Sequence, residues 1–135
     1  MLGEQICEAS GKFTGTRLLP SEGPIPKLEA SFQGSGKLLG VDMNDFGTYY
    51  QTVRSGGMLY GERQVVIITA DGDMAIWTGF GVGRPTGRFP TGTFGICGSF
   101  QTASQKLAHL NMVATVTEFR VDEYGNYSWK AWKWT

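Results

Sequence analysis

Between Val65 and Val82 the chain carries two β-type runs separated by three residues that can only turn. Val65-Val-Ile-Ile-Thr-Ala70 is β-branched and apolar, Asp71-Gly72-Asp73 interrupts it, and Met74-Ala-Ile-Trp-Thr-Gly-Phe-Gly-Val82 resumes an extended pattern. Asp-Gly between two such runs marks a tight β-hairpin, because glycine reaches positive φ without a Cβ clash. The same grammar recurs along the whole chain and constrains it to an all-β fold.

A chain of 135 residues fits one domain, 1–135, and is long enough to bury its own core. Its 20 glycines are about twice the average frequency, which in a β-patterned chain means turns, bulges and strand bends. Only 18% of residues are charged and the net charge is +0, so the surface favours self-association. Neutrality also argues against a nucleic-acid partner, which needs a surplus of Lys and Arg on one face. Met1-Leu-Gly-Glu-Gln-Ile-Cys7 lacks a basic segment followed by an apolar one, and no apolar run reaches the length of a membrane helix. A cytoplasmic location without a membrane partner is therefore expected. Cys7 and Cys97 are then expected to be reduced and buried as small hydrophobes.

Period-two alternation bounded by turn residues divides the chain into eight extended segments. They run over Glu4–Leu19, Lys27–Asp42, Phe46–Arg54, Met58–Ala70, Met74–Gly83, Thr91–Ala103, Met112–Val121 and Tyr127–Trp134. Pro20, Pro24 and Pro26 mark one loop, and Arg84–Pro90 a second. Gly34-Ser-Gly36 is expected to bend its segment, and Asn44-Asp45 to turn the chain. Ser104–Leu110 has a helical flavour, with Ser104 as its N-cap, and gives at most a short turn near 104–110. Sequential strands with short connections predict an antiparallel meander that must close or fold over to remove its edges, and the architecture expected is an up-and-down barrel, closed or nearly closed.

Facing follows from parity. Phe94, Ile96, Gly98 and Phe100 share one side of the sixth segment, and Thr115, Thr117 and Phe119 one side of the seventh. The fifth is apolar on both sides, with Met74, Ile76, Phe80 and Val82 opposing Ala75, Trp77, Gly79 and Gly81. Such a strand needs two apolar neighbours, the core and a second subunit.

No motif carries an unambiguous chemistry. Gly79, Gly81 and Gly83 share a face that either opens space for a ligand or lets Trp rings pack across the strand, and ring packing is favoured. Gly-Phe-Gly-Val-Gly lacks the spacing of a dinucleotide fingerprint, and Gly34-Ser-Gly-Lys37 that of a phosphate loop. One histidine, His109, and two distant cysteines give no metal ligand set, and no cofactor is called for. Asp42, Asn44 and Asp45 offer oxygens of the type that bind calcium, but a solvated turn is the reading expected of them. Glu118 and Arg120 are i,i+2 neighbours whose parity points outward, and Asn126-Tyr-Ser128 matches a glycosylation pattern that matters only on secretion.

Phe32–Gly36, Val65–Gly72, Ala75–Gly83, Ser104–Asn111 and the Trp-rich Trp129–Trp134 together resemble the allene oxide cyclase and dirigent-like barrel superfamily, in particular its small microbial members. The resemblance covers most of the chain and implies an eight-stranded barrel with an apolar interior, often in dimers or trimers. It transfers no catalytic motif. The leading expectation is a barrel that binds a small, mostly apolar organic molecule, with Ile76, Phe94, Phe100 and Phe119 as walls and Arg84, Arg88 and His109 at its mouth. A cofactor-free isomerase or cyclase is the alternative, with Glu118, Tyr50 or His109 as its ionisable group. A non-catalytic, oligomer-forming module is the third.

Overall fold

The computed structural model describes residues 1–88 and 91–135. Eight strands form a closed antiparallel up-and-down barrel: β1 (Leu2–Leu19), β2 (Lys27–Leu38), β3 (Val41–Val53), β4 (Leu59–Thr69), β5 (Met74–Pro85), β6 (Gly92–Gln101), β7 (Ala114–Val121) and β8 (Asn126–Trp134). Pairing of β8 with β1, from Leu2 opposite Trp134 to Lys12 opposite Asn126, closes it. The loop expected over Arg84–Pro90 falls partly on residues 89 and 90, outside the described residues.

Local chemistry sets the turns. Gly72 (φ 88°) turns β4 into β5 at the Asp-Gly signal, and Gly125 (φ 83°) turns β7 into β8. There the Asp122 carboxylate accepts the backbone N–H groups of Tyr124 and Asn126 at 2.8 and 2.9 Å, which stiffens the turn. Between β2 and β3 the turn is Leu39-Gly40, with φ of 52° and 81° at the two positions. This is the two-residue geometry that matches strand twist. The turn expected at Asn44-Asp45 is therefore corrected. Both residues lie within β3, and Asp45 points into the barrel. The helical turn is 3₁₀ and spans Ala108–Met112, with Leu107 at its N-terminal boundary. Ser104 does not cap it, and its hydroxyl bonds the Asp73 carboxylate at 2.8 Å instead.

The lumen is filled by rings lying over glycines. On β5 the inward residues are Ala75, Trp77, Gly79, Gly81 and Gly83, so the outward set is Met74, Ile76, Thr78, Phe80 and Val82. A Cβ at Gly79 or Gly98 would meet the Trp77 indole at 2.7 Å or closer, and one at Gly83 would meet the Phe94 ring at 2.6 Å. The glycines of β5 thus let rings pack across the strand. Gly34-Ser-Gly36 does not bend β2, whose pairing runs unbroken from Lys27 to Leu38. Gly34 faces inward, where a Cβ would stand 2.6 Å from the Tyr127 hydroxyl.

The outer wall is divided by charge. Among outward residues from Asn44 to Thr52, Tyr60 to Ile68, Met74 to Val82 and Thr93 to Gln101, Glu62 is the single charge. On this side Phe80 is 59% exposed, and Met74, Val82 and Phe46 are about half exposed. The remaining wall carries Glu8, Lys12, Lys37, Glu118, Arg120 and Lys130. Cys7 is buried, but Cys97 is exposed on the charge-poor side, since it shares parity with Gly95 and Ser99 and not with the inward Ile96. Among the described residues no helix is long and apolar enough to cross a membrane.

Gly34→Ala drives a methyl group into the Ser10 carbonyl and the Tyr127 hydroxyl, and is expected to cost about 1–3 kcal/mol as overpacking. Gly15→Ala, where nothing lies within 4 Å, stays within about 0.5 kcal/mol of wild type, as surface substitutions do. Urea denaturation of both variants checks the pair.

Candidate functional site

Parity on β4 puts Leu59, Gly61, Arg63, Val65 and Ile67 on the inner face. Arg63 is consequently a cation inside the barrel, only 3% exposed. Its guanidinium carbon lies 4.2 Å from the centre of the Phe119 ring, 4.4 Å from Phe94 and 4.9 Å from Tyr49. Gly61 makes room for it, because a Cβ there would stand 3.1 Å from a guanidinium nitrogen. None of its three nitrogens has a hydrogen-bond partner among the described residues. Burial pulls its pKa down to about 9, against a smaller opposing effect of Tyr49, and the group is still a cation at neutral pH. Burial pushes Tyr49 up to about 12, and the nearby Arg63 charge opposes that rise. Each ring contact is worth about 2 kcal/mol when desolvated, but removing a cation from water costs several kcal/mol.

Asp45 is the second buried ionisable group. Its register partner across β2 and β1 is Tyr127, through Gly34 and Gly11. With no side chains on those two glycines, the Tyr127 ring spans both strands, and its hydroxyl donates to Asp45 Oδ2 at 2.9 Å. Trp129 Nε1 donates to the same oxygen at 3.2 Å, while Oδ1 has no partner among the described residues. Burial raises the Asp45 pKa, and the hydrogen bonds from Trp129 and Tyr127 oppose that rise. The nearby Cys7 thiol is also pushed up, by burial and then by Asp45.

A short aromatic path joins the two groups. Phe119, under Arg63, stacks on Tyr127 with centroids 5.6 Å apart and planes 5° from parallel, and Tyr127 reaches Asp45. Phe32 packs on both rings at 5.7 and 4.7 Å, and half-buried Phe13 covers Tyr127 at 5.9 Å. Beyond Asp45, Trp129 stacks on Trp77, whose indole N–H donates to Thr115 at 3.0 Å. Arg63 and Asp45 form no ion pair, because Phe119 and Tyr127 stand between them.

Phe94, Phe100 and Phe119 lie in this interior, fully buried. Ile76 does not: the Trp and glycine parity of β5 turns it to the outer wall. Tyr50 also points outward, 40% exposed, while its neighbour Tyr49 holds the inward position. Glu118 is on the outer wall beside Arg120, 2.8 Å away. Arg84 and Arg88 are exposed at the end of the barrel where β5 runs to β6, and His109 is exposed in the β6–β7 connection. Successive connections in an up-and-down barrel lie at opposite ends, so these three cannot share one mouth. Sequence reasoning passed over Arg63 and Tyr127, gave Asp45 to a solvated turn, and noted Trp129 only among the Trp-rich end of the chain. Parity on β3 was an available signal for Asp45, which shares the face of Met43 and Tyr49, whereas the Val65–Ile68 run, apolar on both faces, gives none for Arg63. Among the described residues no cluster of three or more His, Cys, Asp or Glu side chains could hold a metal ion.

No protein-family model matches the sequence, and no curated protein matches it significantly. Solved structures do share its architecture. A conserved protein of unknown function from Rhodopseudomonas palustris superposes with a TM-score of 0.81 at 13% identity, over 98% of this chain and 97% of that one. A protein of unknown function from Clostridium acetobutylicum gives 0.83 at 15% identity, over 98% of both chains. A β-barrel-like protein from Acinetobacter baumannii gives 0.80 at 16% identity, over 96% of this chain and 93% of that one. At these identities the likeness establishes a shared small eight-stranded barrel fold and not a family.

Because the Asp45 pKa is raised above its unfolded value, its contribution to stability is fully present below pH 3.8 and is lost as pH rises through the raised value. Asp45→Asn keeps an oxygen for Tyr127 and Trp129 and removes the titration. The melting-temperature difference between variant and wild type is therefore expected to move in favour of the variant from pH 4 to pH 7. A difference that does not change with pH contradicts this.

Proposed function

We propose that the protein binds a small, mostly apolar organic molecule within the barrel. The observation that carries this reading is Arg63: a fully buried guanidinium with unused N–H donors, walled by three rings. A core built only for stability gains nothing from such a group, since apolar residues of similar volume fill buried ion sites as well or better. Buried polar groups with unmet bonding capacity in an apolar enclosure mark candidate binding sites. Rings occupy the lumen, so a guest enters by displacing one. Phe13, the half-buried member of the cluster beside the β1 bulge at Phe13–Gly15, is the ring placed to give way.

A thermal-shift screen against small lipophilic molecules and carboxylates, paired with displacement of a lipophilic dye, tests the reading. A ligand held by the native state alone must raise the melting temperature. Saturable displacement near one equivalent supports binding. A panel that neither shifts the transition nor displaces dye removes it.

A second reading, a cofactor-free isomerase or cyclase, is favoured by Asp45. A carboxyl with a raised pKa, one free oxygen and a tyrosine hydroxyl on the other is suited to moving a proton in an apolar site. It supplies the deep ionisable group that the outward Glu118, Tyr50 and His109 do not. In that case Asp45→Asn abolishes turnover and leaves ligand affinity nearly unchanged.

Self-association rests on a separate observation, the charge-poor outer wall of β3–β6. Phe46, Tyr50, Ile68, Met74, Phe80 and Val82 together expose roughly 600 Å², near the ~800 Å² per partner of a stable interface. Depletion of charge is what distinguishes the centre of an interface from ordinary surface, and this patch, whose one charge is Glu62, would meet its own copy in a two-fold contact. Phe80→Lys is expected to convert a sedimenting dimer to monomer. A wild-type protein that is monomeric at 50 μM contradicts the reading.

A further inference from the structure

We propose that the Arg63 box is a carboxylate-recognition site, and that the barrel's ligand is a monoanionic organic acid whose apolar body lies among the rings of Phe119, Phe94 and Tyr49. This rests on the binding reading above and adds the chemical class of the ligand. The guanidinium is held by ring faces. Ring centres lie 4.2, 4.4 and 4.9 Å from its central carbon, and ring faces satisfy the charge of a guanidinium but none of its directional N–H bonds. Its Nε and both terminal nitrogens lack acceptors among the described residues, and it is 3% exposed.

A planar, bidentate anion meets these donors best, and that is the geometry of a carboxylate. One positive charge in an apolar box matches one negative charge. A phosphate dianion would leave charge uncompensated next to the aromatic stack, with the Asp45 carboxyl two rings away. The Arg63 pKa of about 9 keeps the group cationic at the pH where a carboxylic acid is ionised. Thr117, on the same inner face of β7 as Phe119, carries a further buried hydroxyl oxygen without a partner and can serve a second polar atom of the ligand. A lysine would not be equivalent, because an ammonium offers no in-plane fork.

Wild-type protein is titrated at pH 7 with 3-phenylpropionate and decanoate, with their methyl esters and primary amides, and with inorganic phosphate. Affinity is followed by calorimetry, and the Arg63 Nε–H resonance by side-chain ¹⁵N NMR, assigned from its absence in Arg63→Lys. The expected result is that an acid binds at least 10-fold more tightly than its ester and amide and shifts the Arg63 Nε–H signal. In Arg63→Met the acid-to-ester ratio is expected to fall to about 1, with the fold retained. If that variant does not fold, the wild-type ratio and the Nε–H shift decide the question without it. Equal binding of acid and ester, phosphate binding as tight as the acid, or an Arg63 signal unmoved under saturating acid overturns the carboxylate assignment and leaves the barrel as a binder of neutral molecules. If acid, ester and amide all fail to bind, the binding reading falls with it.

Discussion

The structure depends on the packing of large rings over inward glycines. An eight-stranded barrel encloses barely enough space for its own side chains, and this chain places Trp77, Tyr49, Phe32, Phe94, Phe100 and Phe119 in it, all essentially without solvent contact. The rings fit because the neighbouring strands give up their side chains. Trp77 lies over Gly79 and Gly98, Phe94 over Gly83, and Tyr127 over Gly34. The high glycine content, unfavourable to strands taken singly, becomes an asset once the sheet closes. Each glycine removes a Cβ where a ring must pass, and burial of that ring offsets the extra chain entropy lost.

The same device positions the two buried ionisable groups. Gly61 clears the place of the guanidinium, and the Gly11–Gly34 pair clears the path by which Tyr127 reaches Asp45. Neither group neutralises the other, because the Phe119–Tyr127 stack stands between them. A direct Arg–Asp pair would have returned part of the desolvation cost of both. Held apart, the cation relies on ring quadrupoles and the carboxyl on two neutral donors. Each retains bonding capacity that no interaction within the described residues uses, and the interior is therefore an aromatic column with a polar group on either side of its central stack.

Much of the architecture is legible in the sequence, and the reason is local. Hairpin turns are written by residues next to each other, so Asp71-Gly72 and the Asp122–Gly125 turn are readable without knowledge of the rest. Leu39-Gly40 is not, because a leucine at positive φ carries no turn signal, and the polar Asn44-Asp45 looks more like one. Choosing which parity faces inward is a long-range question. Val65-Val-Ile-Ile is apolar at every position, so it gives no parity to β4, and Arg63 passes for a surface charge. On β5 the balance between Ile76 with Phe80 and Trp77 with three glycines is decided by volume inside the closed barrel, which no single strand encodes. Tyr50 and Tyr49 differ by one step of register, and one step exchanges wall and lumen.

Gly79-Phe-Gly-Val-Gly83 shows how two surfaces are interleaved in one strand. The glycines serve the lumen, beneath Trp77 and Phe94, while Phe80 and Val82 belong to the outer wall. Because side chains alternate strictly across the backbone, a change at Phe80 alters the wall without altering the volume available to the interior rings. The converse holds at Gly79 and Gly83. The inner and outer faces are thus physically separable on this scaffold. What couples them is the backbone they share: a strand that shifts moves both faces together, so resistance to a shift is set by the barrel's closure and not by either surface alone.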